Sequence, residues 1–318
     1  MATNLIRYQH NGSIHWGVAL HNGIVPLSGR YATTGELIEK GEADWRAARE
    51  QTPSLALGAV ELLAPVTAPA RLICQGANYR QHMIESGMNP DAKVFNMFFE
   101  KADCSINAPV GKAVRPPFVS LLDYEIELAL VFKKPISGPI KLTMENIHEY
   151  VFGLTIANDL SARDIQIPQM QFFKGKSYRG FCPLGPHLCV LEREEFRYLD
   201  LLTLTLKVNG EIRQHDETRN LVYKPLESIS EMSHFSDVAA GDVLLTGTPA
   251  GCALRIPPPL VRKLMQLLLP EQKFWGVFKK VQGKSPKYLQ PGDVISATIA
   301  SADRVIDLGE QRTEIVQG

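Results

Sequence analysis

The chain has no excess of charge of either sign and no long apolar segment. Its 34 lysine and arginine residues balance 34 aspartate and glutamate residues, so no net charge attracts it to nucleic acid or to an anionic membrane. No apolar run approaches the roughly 18 residues that indicate a membrane span, and the first residues lack the apolar core of a signal peptide. The sequence therefore predicts a cytoplasmic protein whose partner is a small molecule, not nucleic acid or a membrane.

Cysteine is also scarce, and the five cysteines are scattered along the chain without a CxxC pair. An odd number without paired spacing argues against a disulfide framework and against a zinc site, so the sequence predicts reduced thiols. The motifs GxSxG, HExxH, GxGxxG and GxxxxGKS/T are missing as well. Their absence disfavours a serine hydrolase, a zinc protease and a nucleotide-binding enzyme.

Strand patterns dominate what is present. Of the residues, 45% are hydrophobic and 21% are charged, which is typical of a globular protein with a sizeable core. Short runs of apolar and β-branched residues predict strands at 5–8, 14–20, 24–25, 71–74, 124–132, 150–157, 202–213, 243–246 and 294–300. Because these runs do not alternate regularly with helices, they favour a mixed or antiparallel β architecture with flanking helices over a doubly wound sheet.

One helix is predicted near the N-terminus, and a boundary follows it. The stretch from Thr34 to Arg49 has a helical pattern, and Thr33 or Thr34 can cap it. The segment that contains Pro65 and Pro69 comes next and marks a domain boundary. We therefore expect a small N-terminal domain at 1–68 and a larger domain at 69–318.

Two glutamates interrupt the apolar strand predicted at 124–132. A strand has a side-chain period of two, so Glu125 and Glu127 lie side by side on one face. Two neighbouring carboxylates that are partly buried repel each other and lose hydration, and a nearby cation relieves both effects. The alternative is an edge strand with both glutamates facing water.

A third carboxylate follows the apolar run at 151–157. Asp159 comes just after the end of this predicted strand, where catalytic carboxylates often lie. Three carboxylates suit Mg²⁺ or Mn²⁺, whereas zinc prefers histidine or thiolate ligands. The alternative is that Asp159 or Ser161 caps a helix.

Three further segments carry candidate catalytic groups. His82 and Glu85 stand at positions i and i+3, so a short helix directs them the same way, as a general base and its orienting partner or as a surface pair. Lys176 lies between aromatic segments, either as a buried partner for an oxyanion or as a loop lysine. The glycine-rich turn at 246–251 offers backbone N–H groups and the Thr248 hydroxyl to an anion.

Taken in order, five motifs resemble the fumarylacetoacetate hydrolase superfamily. They are Asn78-Tyr79 with His82 and Glu85, Tyr124-Glu125-Ile126-Glu127-Leu128, Asn158-Asp159 with Ala162-Arg163-Asp164, Gly175-Lys176-Ser177, and Thr246-Gly247-Thr248-Pro249-Ala250-Gly251. The resemblance covers residues 70–252 and resumes at 288–294. It implies an α+β, β-rich fold, in which a mixed β-roll catalytic domain follows a small N-terminal α/β domain, and it implies a homodimer.

The resemblance also implies roles for nine residues. The metal ligands for Mg²⁺ or Mn²⁺ are Glu125, Glu127 and Asp159. The catalytic residues are His82 and Glu85, which activate water, and Lys176, which binds the developing oxyanion. The residues that contact a small oxo-acid substrate are Tyr79, Gln166 and Thr248.

The implied activity is metal-dependent hydrolysis of a carbon–carbon bond in a 1,3-dicarbonyl acid, such as an acylpyruvate, fumarylpyruvate or fumarylacetoacetate, through an enolate. Isomerisation of a 2-hydroxymuconate-type diacid and decarboxylation of a 2-oxo acid are alternatives on the same scaffold. A catalytically silent metal-binding protein is an alternative of another class.

Residues 253–286 depart from the family as an insertion that contains Leu260, Leu264, Leu267 and Leu268 at helical spacing. Three roles are open for this insertion: it closes the site, it forms the dimer interface, or it covers local core.

Overall fold

The structure is a computed structural model that describes residues 2–21, 23–255 and 267–318. Its architecture is α+β and rich in strands, which confirms the predicted fold class. In chain order the strands are β1 (Thr3–His10), β2 (Ser13–Leu20), β3 (Gly23–Pro26), β4 (Glu61–Leu63), β5 (Leu72–Gly76), β6 (Met97–Lys101), β7 (Ile106–Asn107), β8 (Val110–Arg115), β9 (Leu122–Asp123), β10 (Ile126–Phe132), β11 (Val151–Asn158), β12 (Ser161–Ala162), β13 (Cys182–Pro183), β14 (Leu188–Val190), β15 (Leu202–Val208), β16 (Glu211–Glu217), β17 (Val243–Leu245), β18 (Val294–Ser301) and β19 (Asp307–Gln317).

Helices are short and lie around the strands. Those in the described residues are α1 (Thr34–Lys40), α2 (Glu42–Ala48), α3 (Arg80–Glu85), α4 (Ile147–Tyr150), α5 (Arg163–Gln169), α6 (Phe172–Lys176), α7 (Pro225–Met232) and α8 (Glu271–Gln282). Short 3-10 helices occur at Leu57–Ala59, Asp103–Ser105, Arg193–Asp200 and Thr218–Asn220. None of the described helices is long and apolar enough to cross a membrane.

Two large sheets hold the core between them. The larger has the order β3-β2-β1-β14-β11-β10-β17-β5-β6, and β4 also pairs with β1. The smaller has the order β16-β15-β18-β19-β8. Every residue of β10 and of β11 is buried, whereas β15 buries alternate residues. Leu128 and Leu130 of β10 share one buried cluster with Leu204 and Leu206 of β15, so strand β10 lies at the centre of the molecule.

The N-terminal strands continue the larger sheet. Strand β1 pairs antiparallel with β14, so that Leu5 stands opposite Leu188. The side chains of Leu5 and Trp16 share a buried cluster with Leu72 and Ala129 from the rest of the chain. The same hydrophobic core thus contains residues from both sides of position 68. The division of the chain into two domains at this position stays a prediction.

The helix predicted at 34–49 is two helices. Thr33 caps α1 by accepting a hydrogen bond from the Glu36 N–H, at 3.1 Å. Gly41 donates its N–H to the Leu37 carbonyl and then begins α2. A Cβ atom at Gly41 would lie 2.7 Å from the Leu37 carbonyl oxygen, so the break between the helices depends on glycine.

The insertion contributes helix α8. Phe278 joins the main buried cluster, and Trp275 packs against it. The Gln282 amide donates to the Arg255 carbonyl at 2.6 Å, and its oxygen accepts from the Tyr288 hydroxyl at 2.8 Å. This part of the insertion therefore covers local core. Leu260 and Leu264 lie outside the described residues, and Leu267 and Leu268 are exposed.

Candidate active site

Three carboxylates meet beside the central strand. Glu125 precedes β10, Glu127 lies on it, and Asp159 follows the neighbouring strand β11. All three are buried, and they offer oxygen atoms that lie within 4.8 Å of one another. The two alternative interpretations, an edge strand with exposed glutamates and a helix cap at Asp159, are therefore wrong. The N-cap of α5 is Ala162, which makes no side-chain hydrogen bond there.

Buried cations surround this cluster. Lys176, the last residue of α6, donates to Glu125 Oε2 at 2.6 Å and to Asp159 Oδ2. Burial by itself lowers the pKa of Lys176, but Asp159 and Glu125 outweigh it and hold the pKa above its ordinary value. The Lys176 ammonium is thus charged and fixed beside two carboxylates, which excludes the alternative of a solvated loop lysine.

Two further cations were not predicted from the sequence. Lys101 donates to Asp159 Oδ1 and to the Phe181 carbonyl at 2.8 Å. Arg163 donates to Asp123 Oδ2 at 2.8 Å and to Glu125 Oε1. Burial would raise the pKa of Glu125, yet Arg163 and Lys176 hold this pKa below its ordinary value. Arg163 belongs to a motif that resembles the family, whereas Lys101 is far from its partner in sequence and carries no local signal.

Glu127 differs from the other two carboxylates because no ion pair holds it among the described residues. Its Oε2 accepts the N–H of Gly247 at 2.8 Å. Burial first, and then Asp159 and Glu125, raise the pKa of Glu127 well above its ordinary value. Gly247 has φ +88°, and a Cβ there would lie 2.9 Å from Asn78 Cβ, so glycine permits this backbone donor. The glycine-rich turn serves a carboxylate of the protein itself.

The residues fit a divalent cation of the Mg²⁺ or Mn²⁺ type. All donors of the cluster are carboxylate oxygens, which these cations prefer. Counting formal charges, the connected buried groups include four acids and three bases, which leaves one negative charge without a partner. These groups are Asp123, Glu125, Glu127 and Asp159 against Lys101, Arg163 and Lys176. A cation held by Glu125, Glu127 and Asp159 would relieve the repulsion that raises the pKa of Glu127.

A cavity of about 190 Å³ opens onto the cluster. This volume is below the roughly 300–1,000 Å³ of pockets for drug-sized ligands, so it suits a small substrate. The candidate residues that line it are His82, Glu85, Glu125, Glu127, Gln166, Lys176 and Thr248. Met97, Phe99 and Phe172 add an apolar wall, which lowers the local dielectric constant and strengthens the electrostatic effects inside.

His82 and Glu85 both face the cavity, on helix α3. Burial lowers the pKa of His82, so its imidazole is neutral at pH 7. Glu85 is exposed, and its Oε1 accepts from Gln81 at 3.4 Å. Among the described residues His82 and Glu85 share no hydrogen bond, so the structure shows two neighbouring groups without the orienting contact that their spacing suggested. Their catalytic role stays a prediction.

The three predicted substrate contacts have different surroundings. Gln166 lines the cavity, and its Oε1 accepts from Arg163 at 2.8 Å. Thr248 also lines it, but its hydroxyl donates to the Ile126 carbonyl at 3.0 Å. Tyr79 is fully buried in the main cluster, its hydroxyl has no partner among the described residues, and it is not among the residues that line the cavity. Gln166 and Thr248 therefore both line the cavity, whereas Tyr79 does not.

Gly175 fixes the approach of helix α6 to helix α5, and its replacement is a test of the site. A Cβ atom at Gly175 would lie 2.7 Å from Gln166 Cβ and 2.9 Å from its backbone N. We expect Gly175→Ala to push Lys176 and Gln166 apart and to lower the free energy of unfolding by about 1–3 kcal/mol, the usual cost of overpacking. Urea unfolding measures this change, and Gly276→Ala is the control because a Cβ at Gly276 meets open space. Equal stability of both variants would show that the two helices separate freely.

Comparison with known proteins connects this site to a family. The model of the fumarylacetoacetate (FAA) hydrolase C-terminal domain matches residues 71–316. A mitochondrial protein of Rattus norvegicus named oxaloacetate tautomerase Fahd2a is 36% identical over 236 residues, which are 73% of this chain and 73% of that protein. The match to the family model includes all nine candidate residues.

Two solved structures extend the likeness to the whole described fold. A probable 2-hydroxyhepta-2,4-diene-1,7-dioate isomerase from Mycobacterium abscessus superposes with a TM-score of 0.74 at 28% identity and covers 99% of both chains. A fumarylacetoacetate hydrolase from psychrophilic Exiguobacterium antarcticum superposes with a TM-score of 0.71 at 29% identity, over 99% of this chain and 100% of that one. These findings support an enzyme, and the chain belongs to the fumarylacetoacetate hydrolase family.

Proposed function

We propose that the protein is a divalent-metal-dependent tautomerase or isomerase that interconverts the keto and enol forms of a small 2-oxo dicarboxylic acid, with oxaloacetate as the model substrate. The observation that carries the proposal is the imidazole of His82, which lines the cavity with a ring nitrogen within 4.8 Å of a Glu125 carboxylate oxygen and has no hydrogen bond to Glu85; burial lowers its pKa and so favours the neutral form. A lone proton acceptor suffices for proton transfer at carbon. The names of the rat and Mycobacterium abscessus relatives support the same class of reaction.

The net charge of the site with a bound cation favours an acidic substrate. The connected buried groups have one negative charge in excess, and a divalent cation changes this to one positive charge. Lys176 lines the cavity as a second source of positive potential. A carboxylate and a 2-oxo oxygen of the substrate neutralise this charge, and the apolar wall around them strengthens the attraction.

The protein's own residues then move the proton. A cation held by Glu125, Glu127 and Asp159 would polarise the 2-oxo group and stabilise an enolate. The imidazole of His82 accepts a proton from C3 of the keto acid, and the imidazolium then delivers this proton to the enolate oxygen to give the enol. On the reverse path the neutral imidazole takes the proton from the enol oxygen and returns it to C3. The Lys176 ammonium stays charged near the oxygen where negative charge develops.

Hydrolysis of a carbon–carbon bond is the second candidate. The observation that favours it is that Glu85 lines the cavity beside His82, so a water held between the two could be activated. This reaction needs the His82 and Glu85 pair to act together, whereas tautomerisation needs only a proton carrier. The two proposals therefore differ in what they require of Glu85.

A substrate panel tests the proposed function. Oxaloacetate, a hydroxymuconate-type diacid, an acylpyruvate, fumarylpyruvate and fumarylacetoacetate are each mixed with the enzyme with and without Mg²⁺, and enol absorbance and products are followed. We expect Mg²⁺-dependent keto–enol equilibration or double-bond isomerisation with the carbon skeleton intact. Release of two acids would establish hydrolysis, release of carbon dioxide would establish decarboxylation, and no reaction in the whole panel would favour a silent metal-binding protein.

His82→Asn is expected to lower kcat/KM for oxaloacetate by about 10²–10⁴-fold, the usual contribution of a general acid or base. The affinity for Mg²⁺ should stay unchanged, because the carboxylate cluster is intact. Steady-state kinetics and calorimetric titration with Mg²⁺ measure the two quantities. Glu85→Gln is the matched variant: the tautomerase proposal expects a small effect, and a loss equal to that of His82→Asn would favour the hydrolytic pair.

A further inference from the structure

A second group of potential metal ligands shares Glu125 with the carboxylate cluster. His82, Glu125 and Cys252 offer a ring nitrogen, a carboxylate oxygen and a sulfur that lie within 4.8 Å of one another. An imidazole and a thiol are the ligands that zinc and other thiophilic cations prefer, whereas Mg²⁺ avoids them. The two clusters share Glu125 but differ in the chemistry of their remaining donors.

The ring nitrogens of His82 and the sulfur of Cys252 lie at the cavity and have few other partners. His82 and Cys252 both line the cavity, so an ion that enters it meets them directly. The imidazole of His82 has no hydrogen bond among the described residues. The Cys252 sulfur has only long contacts, at 4.0 Å to Glu125 Oε1, 3.9 Å to the Pro249 carbonyl and 3.6 Å to the Gln214 amide. Weak contacts of this kind are readily exchanged for bonds to a metal.

The backbone fixes the position of Cys252. The preceding Gly251 has φ +110°, and a Cβ on it would lie 2.0 Å from the Arg213 carbonyl oxygen. The N–H of the following residue, Ala253, donates to Asp123 Oδ1 at 2.7 Å. Held on both sides, the thiol faces the cavity as part of the scaffold and not as part of a mobile loop.

We propose that His82, Glu125 and Cys252 form a second cation site, which takes Zn²⁺ or another thiophilic divalent ion while the three carboxylates take Mg²⁺ or Mn²⁺. The Cys252 thiol loses its proton to solvent as the sulfur–zinc bond forms, and water completes the tetrahedron. Small side-chain movements bring the three atoms to bonding distance. Arg163 and Lys176 already donate to Glu125, so the ion shares this carboxylate with a guanidinium and an ammonium.

Occupation of the second site has a consequence for activity that rests on the proposed function. An ion bound to His82 removes the neutral imidazole that carries the proton, so Zn²⁺ inhibits the enzyme while Mg²⁺ supports it. The binding of Zn²⁺ itself does not depend on the reaction. A metal-binding experiment therefore tests the site even if the proposed activity is wrong.

The test uses Co²⁺ and Zn²⁺ with the full chain in the absence of substrate. We expect two Zn²⁺ per chain and, with Co²⁺, the near-ultraviolet charge-transfer band of a thiolate ligand. Cys252→Ser should lose the band and weaken the second Zn²⁺ by at least about tenfold, because even outer-shell partners contribute 10–100-fold to metal affinity. Cys104→Ser is the control, because Cys104 is exposed and its replacement should change neither result.

Two outcomes would overturn the proposal. One is the absence of a thiolate band in the unmodified protein, which needs no variant and so does not depend on the folding of Cys252→Ser. The other is equal Zn²⁺ affinity and stoichiometry in the unmodified protein and in Cys252→Ser, with circular dichroism showing that both are folded. A band that disappears in Cys104→Ser would assign the cation to the surface thiol and would also contradict the site.

Discussion

Glu127→Gln is expected to abolish divalent-cation binding and catalysis while the protein stays folded. Glu127 is the carboxylate of the cluster that has no ion pair among the described residues, so its replacement strands no buried cation. Its amide analogue keeps the shape and can still accept the Gly247 N–H. We expect the affinity for Mg²⁺ to fall by more than about 100-fold, beyond the 10–100-fold effect of outer-shell partners, and turnover to fall to background.

The same variant should change the pH dependence of stability in the metal-free protein. The pKa of Glu127 is raised in the folded state above its ordinary value of 4.5. Its contribution to stability is therefore fully present below that value and is lost as the pH rises toward the folded-state pKa. Urea unfolding with EDTA at a series of pH values should show this loss in the unmodified protein and a smaller one in Glu127→Gln. Identical pH profiles would contradict the assignment.

Asp159→Asn, unlike Glu127→Gln, should destabilise the fold. Asp159 binds two buried ammonium groups, Lys101 on one oxygen and Lys176 on the other. Removal of one partner from a buried ion pair costs about 3–5 kcal/mol because a charge is left without compensation. We expect a loss of this size in the free energy of unfolding, measured by urea denaturation of the metal-free protein, in addition to loss of metal binding.

An exposed ion pair provides the control for Asp159→Asn. Asp91 accepts from Arg80 at 2.6 Å, and both side chains are more than half exposed. Water screens this pair, so Asp91→Asn should unfold at nearly the same urea concentration as the unmodified protein. If Asp159→Asn were as stable as Asp91→Asn, the two lysines would not depend on Asp159, and the charge balance described for the site would be wrong.

Much of the carboxylate cluster could be predicted because its signals are local. The period of a strand places Glu125 beside Glu127, and a buried strand that is followed directly by Asp159 brings a third carboxylate to the same region. Antiparallel pairing of β10 with β11, with Ile126 opposite Asn158, then brings them together. The metal-binding role of these residues stays a prediction, but their proximity follows from short segments of sequence.

The buried cation Lys101 and the thiol of Cys252 could not be predicted from local sequence signals. Lys101 lies 58 residues from Asp159, and Cys252 lies 127 residues from Glu125. No spacing rule connects positions so far apart, since only the folded sheet brings them together. The scattered cysteines argued against zinc because local spacing was the evidence, whereas the second cation site is assembled from distant parts of the chain.

Local geometry also limited what the sequence could show about the catalytic groups. Spacing of three residues directs His82 and Glu85 toward the same cavity, but it does not determine whether the two side chains touch. Tyr79, three residues before His82, precedes the helix and is buried in the core. Side-chain contacts on so short a helix depend on what packs against it, and this information lies elsewhere in the chain.

The most direct test of the proposed function is proton NMR of oxaloacetate in D₂O with catalytic amounts of enzyme and Mg²⁺. Enolisation at the site exchanges the C3 protons for deuterium, so we predict enzyme-dependent loss of the C3 signal while the carbon skeleton persists. Mg²⁺ alone and the Glu127→Gln variant give the background rate. Exchange no faster than this background, or fragments that appear as fast as the C3 signal is lost, would contradict the account.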